Sequence, residues 1–424
     1  MKVMVIGGGG REHAIIKKLK ESPEVTEIYA LPGNGGIAAM GDAICVNIGA
    51  KDLAGQVRFA RENGIGYAVV APDDPLVLGA VDALQAAGVP CFGPDKKAAV
   101  IEGSKVFAKQ LMEKYHIPTA AYRVFDRPED ALAYLETAPL PTVIKADGLA
   151  LGKGVTIAGT RAEATAAIRA MMEERVFGES GARVVVEEYL EGPEVSVLTF
   201  TDGETVVPMV SSMDHKRAHD GDTGKNTGGM GTIAPNPYYT KEIAALCRDT
   251  IFLPTVHAMA AEGRPFRGCL YFGLMLTKDG PRVIEYNCRF GDPETQVVLP
   301  LLDCDLLSVM RAVTEGRLQA EDVRIRPGAA ACVVMASGGY PGAYCTGFPI
   351  TIDPEVAPDL CFAGVREEGG RLFTAGGRVL GAVGCAPTLR GALTSAYEKV
   401  KKISFDGAAY RTDIGAHALR AKGE

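Results

Sequence analysis

The sequence contains no tryptophan, and its 14 tyrosines and 14 phenylalanines form no stretch in which aromatic and basic residues interleave. Single-stranded nucleic acids are bound mainly by stacking on aromatic side chains inside positively charged grooves. The chain instead has a net charge of −7, and its lysines and arginines are scattered. Bulk electrostatic attraction to a phosphate backbone is therefore excluded, and no nucleic-acid partner is expected.

The chain also lacks any apolar run long enough to span a bilayer. Its first residues read as a β-strand and show neither the apolar core nor the cleavage site of a signal peptide. Ten cysteines occur without a Cys-x-x-Cys pair, which predicts reduced thiols without metal chemistry. We expect no membrane contact and a cytoplasmic location.

Histidine is scarce, with six residues in the chain. His215 and His219 have the i, i+4 spacing of a helical zinc site. The residues around them are mostly Asp and Gly, which are poor in a helix interior, and no third ligand is evident. We therefore predict no zinc site here.

A length of 424 residues corresponds to about three domains. Over residues 1–103, apolar strands alternate with helical segments, including one helix over 76–87, which predicts a doubly wound parallel sheet. Ligands bind such sheets at the carboxyl ends of the strands. The glycines at 7–10 are not a dinucleotide fingerprint, because Glu12 stands where a third glycine is required. Beside Arg11, they predict an anion site at a helix N-terminus.

Residues 104–326 are predicted to form a larger α+β domain, and residues 327–424 a smaller, β-rich α+β domain that walls one side of the site. The Gly-rich segment 148–154 joins two predicted strands. It is not a Walker A loop, because Asp147 and Gly154 occupy positions that require Gly and Ser or Thr. The pattern predicts that this segment forms a flexible cover over bound phosphates.

Glu285 and Asn287 lie two residues apart on a predicted strand, so their side chains share one face. A carboxylate and an amide oxygen suit Mg²⁺, which takes hard oxygen ligands. The alternative is a solvated strand face with a surface salt bridge. The adjacent Arg289 and Asp292 favour the functional interpretation.

The segment 214–231, DHKRAHDGDTGKNTGGMG, carries six fixed charges of both signs and five glycines. We predict that it lies outside the core, because buried unpaired charges are costly. A flexible surface loop is one interpretation. Ordinary linkers rarely contain such a dense mixture of charges, and charged groups on Gly-rich loops commonly hold anionic substrates. The pattern favours a reaction loop.

Several motifs follow one another in order: VIKADGLALGKG at 143–154, VEEYL at 186–190, DHKR and NTGGMG within 214–231, and EYNCRFGDPETQ at 285–296. Together they resemble the phosphoribosylamine–glycine ligase family of ATP-grasp enzymes. The resemblance covers nearly the whole chain, including GGRVL at 376–380 and YRTDIG at 410–415. It implies ligation of glycine to 5-phosphoribosylamine with ATP and Mg²⁺ or Mn²⁺, through a glycyl phosphate, in purine synthesis. It also implies a lid at about 120–190, and we expect a monomer.

The resemblance also implies roles for individual residues. ATP would contact Lys105, Lys145, Gly152, Lys153, Gly154, Glu187, Glu188, Leu190 and Glu194, and the metal Glu285 and Asn287. Phosphoribosylamine would face Gly9, Gly10, Arg11, Glu12 and Asp73. Glycine would sit among Asp214, Asn226, Gly229, Arg289 and Gly291, with Arg289 on its carboxylate and Asp214 or Asp292 on its ammonium group. The catalytic set would be Lys145, Asp214, Lys216, Arg289 and Asp292.

Two positions depart from the family pattern: Asp73 stands where Glu is usual, and Lys225 where Pro is common. Two alternatives remain open. One is another ATP-grasp carboxylate–amine ligase with the same ATP half-site. The other is a non-catalytic nucleotide-binding sensor, against which the joint presence of Lys145, Glu285 and Arg289 argues.

Overall fold

The computed structural model describes residues 1–150 and 154–421. Its first part contains strands β1 (Lys2–Gly7), β2 (Glu27–Pro32), β3 (Ile44–Cys45), β4 (Tyr67–Val70) and β5 (Cys91–Phe92). Its helices are α1 (Gly10–Lys20), α2 (Gly35–Ala39), α3 (Leu53–Glu62), α4 (Asp73–Leu78), α5 (Ala80–Ala86), α6 (Lys96–Gly103) and α7 (Lys105–Lys114). The strands form a parallel sheet of order β3-β2-β1-β4-β5, as the alternation of strands and helices predicts.

Both faces of this sheet are buried. Along β1, Val3 and Val5 face one apolar cluster while Met4 and Ile6 face another, which explains the continuous apolar run. The predicted single helix over 76–87 is wrong. It is divided at Gly79, whose φ of 98° is left-handed, and left-handed backbone is accessible to glycine at little cost.

The next part is a four-stranded antiparallel sheet that we call the lid sheet. It contains β6 (Tyr122–Phe125), β7 (Thr142–Ala146), β8 (Val155–Ala158) and β9 (Val184–Glu188), in the order β6-β9-β7-β8. Helices α8 (Pro128–Leu135) and α9 (Arg161–Ile168) pack on it, and a π-helical turn (Arg169–Glu173) extends α9. The lid sheet has an apolar cluster of its own, which includes Leu135, Ile144 and Val184.

The following strands are β10 (Glu194–Thr201), β11 (Val206–Pro208), β12 (Met213–Asp214), β13 (Arg217–His219), β14 (Thr223–Asn226), β15 (Gly231–Ala234), β16 (Gly268–Thr277) and β17 (Gly280–Asn287). The helices are α10 (Lys241–Cys247), α11 (Leu253–Ala261), α12 (Thr295–Val298) and α13 (Leu306–Glu315), and a π-helical turn (Arg248–Phe252) joins α10 to α11. Strands β11-β10-β16-β17 form an antiparallel central sheet. Strands β13 and β14 form a hairpin.

The last part contains β18 (Ala329–Ser337), β19 (Thr351–Ile352), β20 (Leu360–Phe362), β21 (Val365–Glu368), β22 (Arg371–Thr374), β23 (Arg378–Ala386), β24 (Ile403–Ser404) and β25 (Ala408–Ala409), with α14 (Leu389–Val400) and α15 (Ala416–Ala421). The C-terminal sheet has the order β12-β15-β18-β23-β20, and β25 also pairs with β18. Two of its strands therefore come from the charged segment 214–231 and its border. The predicted division at 327 runs through this sheet.

The charged segment is thus not wholly outside the core, and this expectation is wrong for its two ends. His215, Thr227 and Met230 are buried, whereas residues 219–225 are exposed. Pairing of β15 with β18 satisfies the backbone groups of the buried end. None of the helices within the described ranges combines the length and apolar character that crossing a membrane requires.

Candidate active site

One cavity of about 920 Å³ lies where the four sheets meet. It is lined from the N-terminal sheet by Arg11 and Asp73, from the lid sheet by Lys145 and Glu187, from the central sheet by Glu285 and Asn287, and from the C-terminal sheet by Asp214 and Arg378. A volume of this size can hold a nucleotide with small co-substrates. The sequence motifs, far apart along the chain, therefore converge.

Two buried lysines share one carboxylate at the lid side of the cavity. Lys145 Nζ lies 3.0 Å and Lys109 Nζ 3.1 Å from Glu187 Oε2. Lys145 Nζ also donates to the Ile284 carbonyl at 2.8 Å, which ties the lid sheet to the central sheet. Burial lowers the pKa of Lys109 to about 8, although Glu187 opposes the shift. Within the part of the chain that the structure describes, buried Glu187 Oε1 has no hydrogen-bond partner.

Asp147, the residue before the Gly-rich segment 148–154, contacts the N-terminus of α7. Its Oδ1 accepts from Ser104 Oγ at 2.8 Å and from the Val106 amide at 2.9 Å, and its Oδ2 pairs with Arg183 at 2.5 Å. Lys105 Nζ donates to the Gly148 carbonyl at 3.0 Å, and burial, aided by Lys145, lowers its pKa. The lysine predicted to bind phosphate is thus held beside the start of the cover.

The remaining residues predicted to contact ATP are placed as follows. Glu188, Leu190 and Glu194 line the cavity, as does Gly154, whose carbonyl accepts from the Ala146 amide at 2.8 Å. Gly152 and Lys153 lie outside the described residues.

Glu285 and Asn287 stand on β17 and both line the cavity. Lys216 Nζ lies 3.4 Å from Glu285 Oε1 and 3.2 Å from Glu194 Oε2. Lys216, followed by Lys145 and Lys105, lowers the pKa of Glu285 to about 2 against the opposing effect of burial. Glu285 is therefore an ionised oxygen donor. No cluster of three or more His, Cys, Asp and Glu side chains suited to a metal occurs in residues 1–150 and 154–421, so other ligands of a metal here would be phosphate oxygens and water.

The start of α1 packs against the segment that follows β17. Glu12 Oε2 accepts from the Gly9 amide at 2.6 Å and Glu12 Oε1 pairs with Arg11 Nε at 2.6 Å, so both its oxygens are used within the chain. A Cβ on Gly10 would lie 2.7 Å from Gln296 Nε2, closer than real Cβ contacts. Of the described residues predicted to face phosphoribosylamine, Arg11 and Asp73 line the cavity, whereas Gly9, Gly10 and Glu12 are not among the described residues that line it.

Arg289 is held by a carboxylate from the N-terminal domain. Its Nη2 lies 2.8 Å from Glu102 Oε1, and Glu102 Oε2 accepts from the Cys288 amide at 2.7 Å. Burial opposes ionisation of Asp73, but Arg289 and Arg11 outweigh it and hold the pKa of Asp73 below its usual value. The Nε of Arg289 is buried and has no hydrogen-bond acceptor in the described ranges.

Asp214 presents a buried acceptor without a donor. Its Oδ1 is buried and finds no hydrogen-bond partner among the described residues. Burial, followed by the charge of nearby Glu294, raises the pKa of Asp214 well above its ordinary value. Burial likewise raises the pKa of Glu294, whose Oε1 accepts from Ser196 Oγ at 3.3 Å. The surroundings of Asp214 and Glu294 therefore favour protonation of these carboxyl groups or the binding of a cation beside them.

Arg378 connects the C-terminal sheet to the rest of the site. Its Nη2 lies 3.2 Å from Asp292 Oδ2, and its Nη1 donates to the Asp292 carbonyl at 2.8 Å and to the Gly228 carbonyl. Arg378 and Arg11 outweigh the opposing effect of burial and hold the pKa of Asp292 below normal. A Cβ on Gly229 would lie 2.7 Å from Asp214 Oδ1, so glycine is required there. Gly229 and Gly291 shape the wall, while Asn226 lines the cavity.

Residue-level prediction missed five members of this site: Glu102, Lys109, Asp147, Glu294 and Arg378. Asp147, Glu294 and Arg378 lie inside motifs that the sequence analysis quotes, so their positions were visible. Their roles depend on partners that are distant in sequence. Only Asp147 carried a local signal, because it breaks the Walker A pattern.

The site combines two antiparallel sheets that close on a cavity lined with lysines and a strand that presents carboxylate and amide oxygens opposite them. This arrangement defines the ATP-grasp class of enzymes. Sequence models of the phosphoribosylglycinamide synthetase N domain, ATP-grasp (A) domain and C domain match residues 1–102, 103–295 and 330–417. A phosphoribosylamine–glycine ligase of Caldanaerobacter subterraneus subsp. tengcongensis is 48% identical, over 98% of this chain and all of that protein. The chain belongs to the phosphoribosylamine–glycine ligase family.

Other comparisons agree. The crystal structure of phosphoribosylamine–glycine ligase from Thermotoga maritima is 35% identical, has a TM-score of 0.84 and covers 98% of this chain and all of its own. A trifunctional purine biosynthetic protein of Gallus gallus is 46% identical over 99% of this chain and 42% of its own length. The biotin carboxylase domain of Hydrogenobacter thermophilus 2-oxoglutarate carboxylase is 16% identical with a TM-score of 0.74, which shows the shared fold.

Proposed function

We propose that this chain catalyses the ATP-dependent ligation of glycine to 5-phosphoribosylamine. The products are glycinamide ribonucleotide, ADP and phosphate, a step of purine biosynthesis. A carboxylate is a poor acyl donor, so the glycine carboxylate first attacks the γ-phosphorus of ATP and releases ADP. The amine of phosphoribosylamine then attacks the carbonyl of glycyl phosphate, loses a proton, and displaces phosphate.

The observation that carries the assignment of glycine is a pair of unsatisfied, buried atoms on one cavity. Among residues 1–150 and 154–421, Arg289 Nε finds no acceptor and Asp214 Oδ1 finds no donor, and both residues line the cavity. Leaving such groups unpaired costs about 1–3 kcal/mol each. A zwitterion satisfies both, because its carboxylate accepts from the guanidinium and its ammonium group donates to the carboxylate.

The cations of the site are placed to bind ATP phosphates. Lys105, Lys145 and Lys216 lie on the cavity around Glu285, and phosphoryl transfer depends mainly on alignment and charge neutralisation. Glu285 and Asn287 would hold a divalent metal ion, Mg²⁺ or Mn²⁺, which would neutralise charge on the phosphate oxygens. The residues present fit this ion, because one donor is an ionised carboxylate and the other an amide.

The N-terminal domain would hold the second substrate. Arg11 and Asp73 face the cavity from the helix starts that follow β1 and β4, where a parallel sheet binds ligands. A cationic side chain at a helix N-terminus suits the 5-phosphate, and Asp73 suits a ribose hydroxyl. The lid sheet and the cover segment would exclude water from the acyl phosphate. We propose that the chain acts as a cytoplasmic monomer.

The reaction is tested with all three substrates present and the product identified by mass. We expect phosphate release that requires both glycine and phosphoribosylamine, and a product heavier than phosphoribosylamine by one glycyl group. Alanine and serine serve as matched controls, because their side chains would extend from the glycine Cα toward the walls. Equal turnover with these amino acids would contradict the assignment of glycine, and ATP binding without any turnover would indicate a sensor.

A further inference from the structure

The motif YRTDIG at 410–415 lies against the β13–β14 hairpin of the charged segment. Arg411 is only 1% exposed and is the largest fully buried side chain in the described part of the chain. It is not among the described residues that line the cavity. A buried guanidinium needs several acceptors, and its partners show what it holds in place.

Arg411 binds both the hairpin and its own neighbour. Its Nε and Nη2 lie 2.8 and 2.9 Å from the two carboxylate oxygens of Asp413, a bidentate pair. Its Nη1 lies 2.7 Å from Asp222 Oδ1 and 3.2 Å from the Arg217 carbonyl. These acceptors lie on both sides of the hairpin turn, so one side chain ties the hairpin to the C-terminal domain.

Backbone contacts of the same motif reinforce this attachment. The Thr412 amide donates to Asp220 Oδ1 at 2.8 Å, and the Gly221 amide donates to Asp413 Oδ2 at 2.8 Å. The Gly415 amide donates to Nε2 of buried His215 at 3.0 Å. The motif therefore contacts the hairpin at its turn and the residue just before Lys216.

The hairpin has little to stabilise it by itself. Its strands pair at Arg217 with Asn226 and at His219 with Thr223, with an irregularity between the two pairs. Residues 219–225 are exposed, and an isolated two-stranded hairpin is marginally stable at best. Its position therefore depends on residues 410–415.

We propose that residues 410–415 form a clasp that positions the hairpin, and through it Lys216, for catalysis, with Arg411 as the positioning residue. Lys216 directly precedes β13 and approaches Glu285 and Glu194, so a tilt of the hairpin moves its ammonium group. This inference rests on the proposed function of Lys216 at the ATP phosphates.

The test is a double-mutant cycle between Arg411→Met and Lys216→Met. Displacement of a reacting group by about 1 Å can cost roughly 100-fold in rate, so we expect Arg411→Met to lower kcat by roughly 10- to 100-fold. If Arg411 acts through Lys216, the double variant retains the kcat of Lys216→Met within about twofold, because interacting residues are non-additive. If the loss of kcat in the double variant instead equals the product of the losses in the two single variants, the proposal is overturned.

A second readout does not depend on turnover. Amide hydrogen exchange at residues 217–226 should accelerate at least tenfold in Arg411→Met, while exchange in the central sheet stays unchanged. Unaltered exchange in the hairpin would refute the clasp. If the parent protein lacks glycine-dependent turnover, the proposed function fails, but the exchange experiment still decides whether the clasp exists.

Lys399→Met is the matched control. Lys399 is mostly buried on α14 in the same domain, and it pairs with Asp359 at 2.8 Å and donates to the Val383 carbonyl at 2.6 Å. Its loss should leave hairpin exchange and kcat unchanged; the changes expected for Arg411→Met, if seen here, would overturn the proposal. Should Arg411→Met fail to fold, Asp220→Ala replaces it in the cycle, because Asp220 is exposed and its carboxylate accepts from the amide and the hydroxyl of Thr412.

Discussion

Substitution of Asp214 by Asn is expected to weaken glycine binding while stabilising the protein without ligand. The change keeps the shape of the side chain and removes its negative charge. Asp214 lines the cavity, and its buried Oδ1 has no donor among the residues that the structure describes. In the proposed complex this oxygen accepts a charge-assisted hydrogen bond from the glycine ammonium group.

The expected loss of glycine binding follows from the value of that hydrogen bond. Hydrogen bonds to charged groups contribute about 1.5–3 kcal/mol, which corresponds to a rise of roughly 10- to 150-fold in the KM for glycine. The KM for ATP should change by less than about threefold, because ATP makes its proposed contacts with Lys105, Lys145 and Glu285.

The sign of the stability change follows from the pKa of Asp214. Burial, together with Glu294, raises this pKa in the folded protein. When the pKa of an acid is higher in the folded than in the unfolded protein, the free energy of unfolding decreases as the pH rises from about 4 through the folded pKa. Asn cannot ionise, so above pH 7 the variant should be more stable by about 1 kcal/mol. Urea unfolding at pH 7.5 measures this difference.

Asp202→Asn is the matched control, because Asp202 is also a buried carboxylate. Its oxygens accept from the amides of Thr205 at 2.8 Å and Leu318 at 3.1 Å, and it does not line the cavity among the described residues. Its substitution should destabilise the protein and leave the KM for glycine unchanged. If Asp214→Asn instead destabilised the protein with an unaltered KM for glycine, the assigned role of Asp214 would be wrong.

Two further predictions concern the metal ligand and the buried histidines. Glu285→Ala should lower metal-dependent turnover by more than roughly 100-fold while shifting the free energy of unfolding by less than about 1 kcal/mol, since its ion pair with Lys216 is partly exposed; turnover equal to the parent's would contradict the metal role. Burial lowers the pKa of His13 and of His215 to about 4. The unfolded state then binds the proton more tightly than the folded state does. The free energy of unfolding should therefore fall as the pH is lowered from about 6.5 to about 4, by up to about 3 kcal/mol for each histidine. Urea unfolding across this pH range measures how the free energy of unfolding depends on pH, and His13→Gln should make this dependence weaker. An identical pH dependence in that variant would exclude His13 as a contributor.

Features with a local cause were predictable from the sequence. The apolar run of β1 and the glycines after it indicated a parallel sheet with a ligand edge, because period and turn chemistry are encoded in neighbouring residues. The two-residue spacing of Glu285 and Asn287 likewise placed both on one strand face.

Features that depend on distant partners were not predictable. The charges of segment 214–231 predicted a position outside the core, yet its C-terminal end, in β15, pairs with β18, a strand about 100 residues later. A glycine inside an apolar helical pattern lowers helix stability by only about 1 kcal/mol, so Gly79 alone did not predict a break in the helix. Glu102 and Arg378 carried no local sign of function, because each acts through a partner brought close only by the fold.

The C-terminal sheet has a consequence for the order in which the protein folds during synthesis. Strands β12 and β15 emerge from the ribosome long before β18, the strand that pairs with β15. At ~5–20 residues per second, β15 waits on the order of 5 to 20 seconds with an unpaired edge. Such an edge invites association with other chains. The residues proposed to bind glycine are therefore assembled last, and the nascent chain passes through an aggregation-prone interval before this site forms.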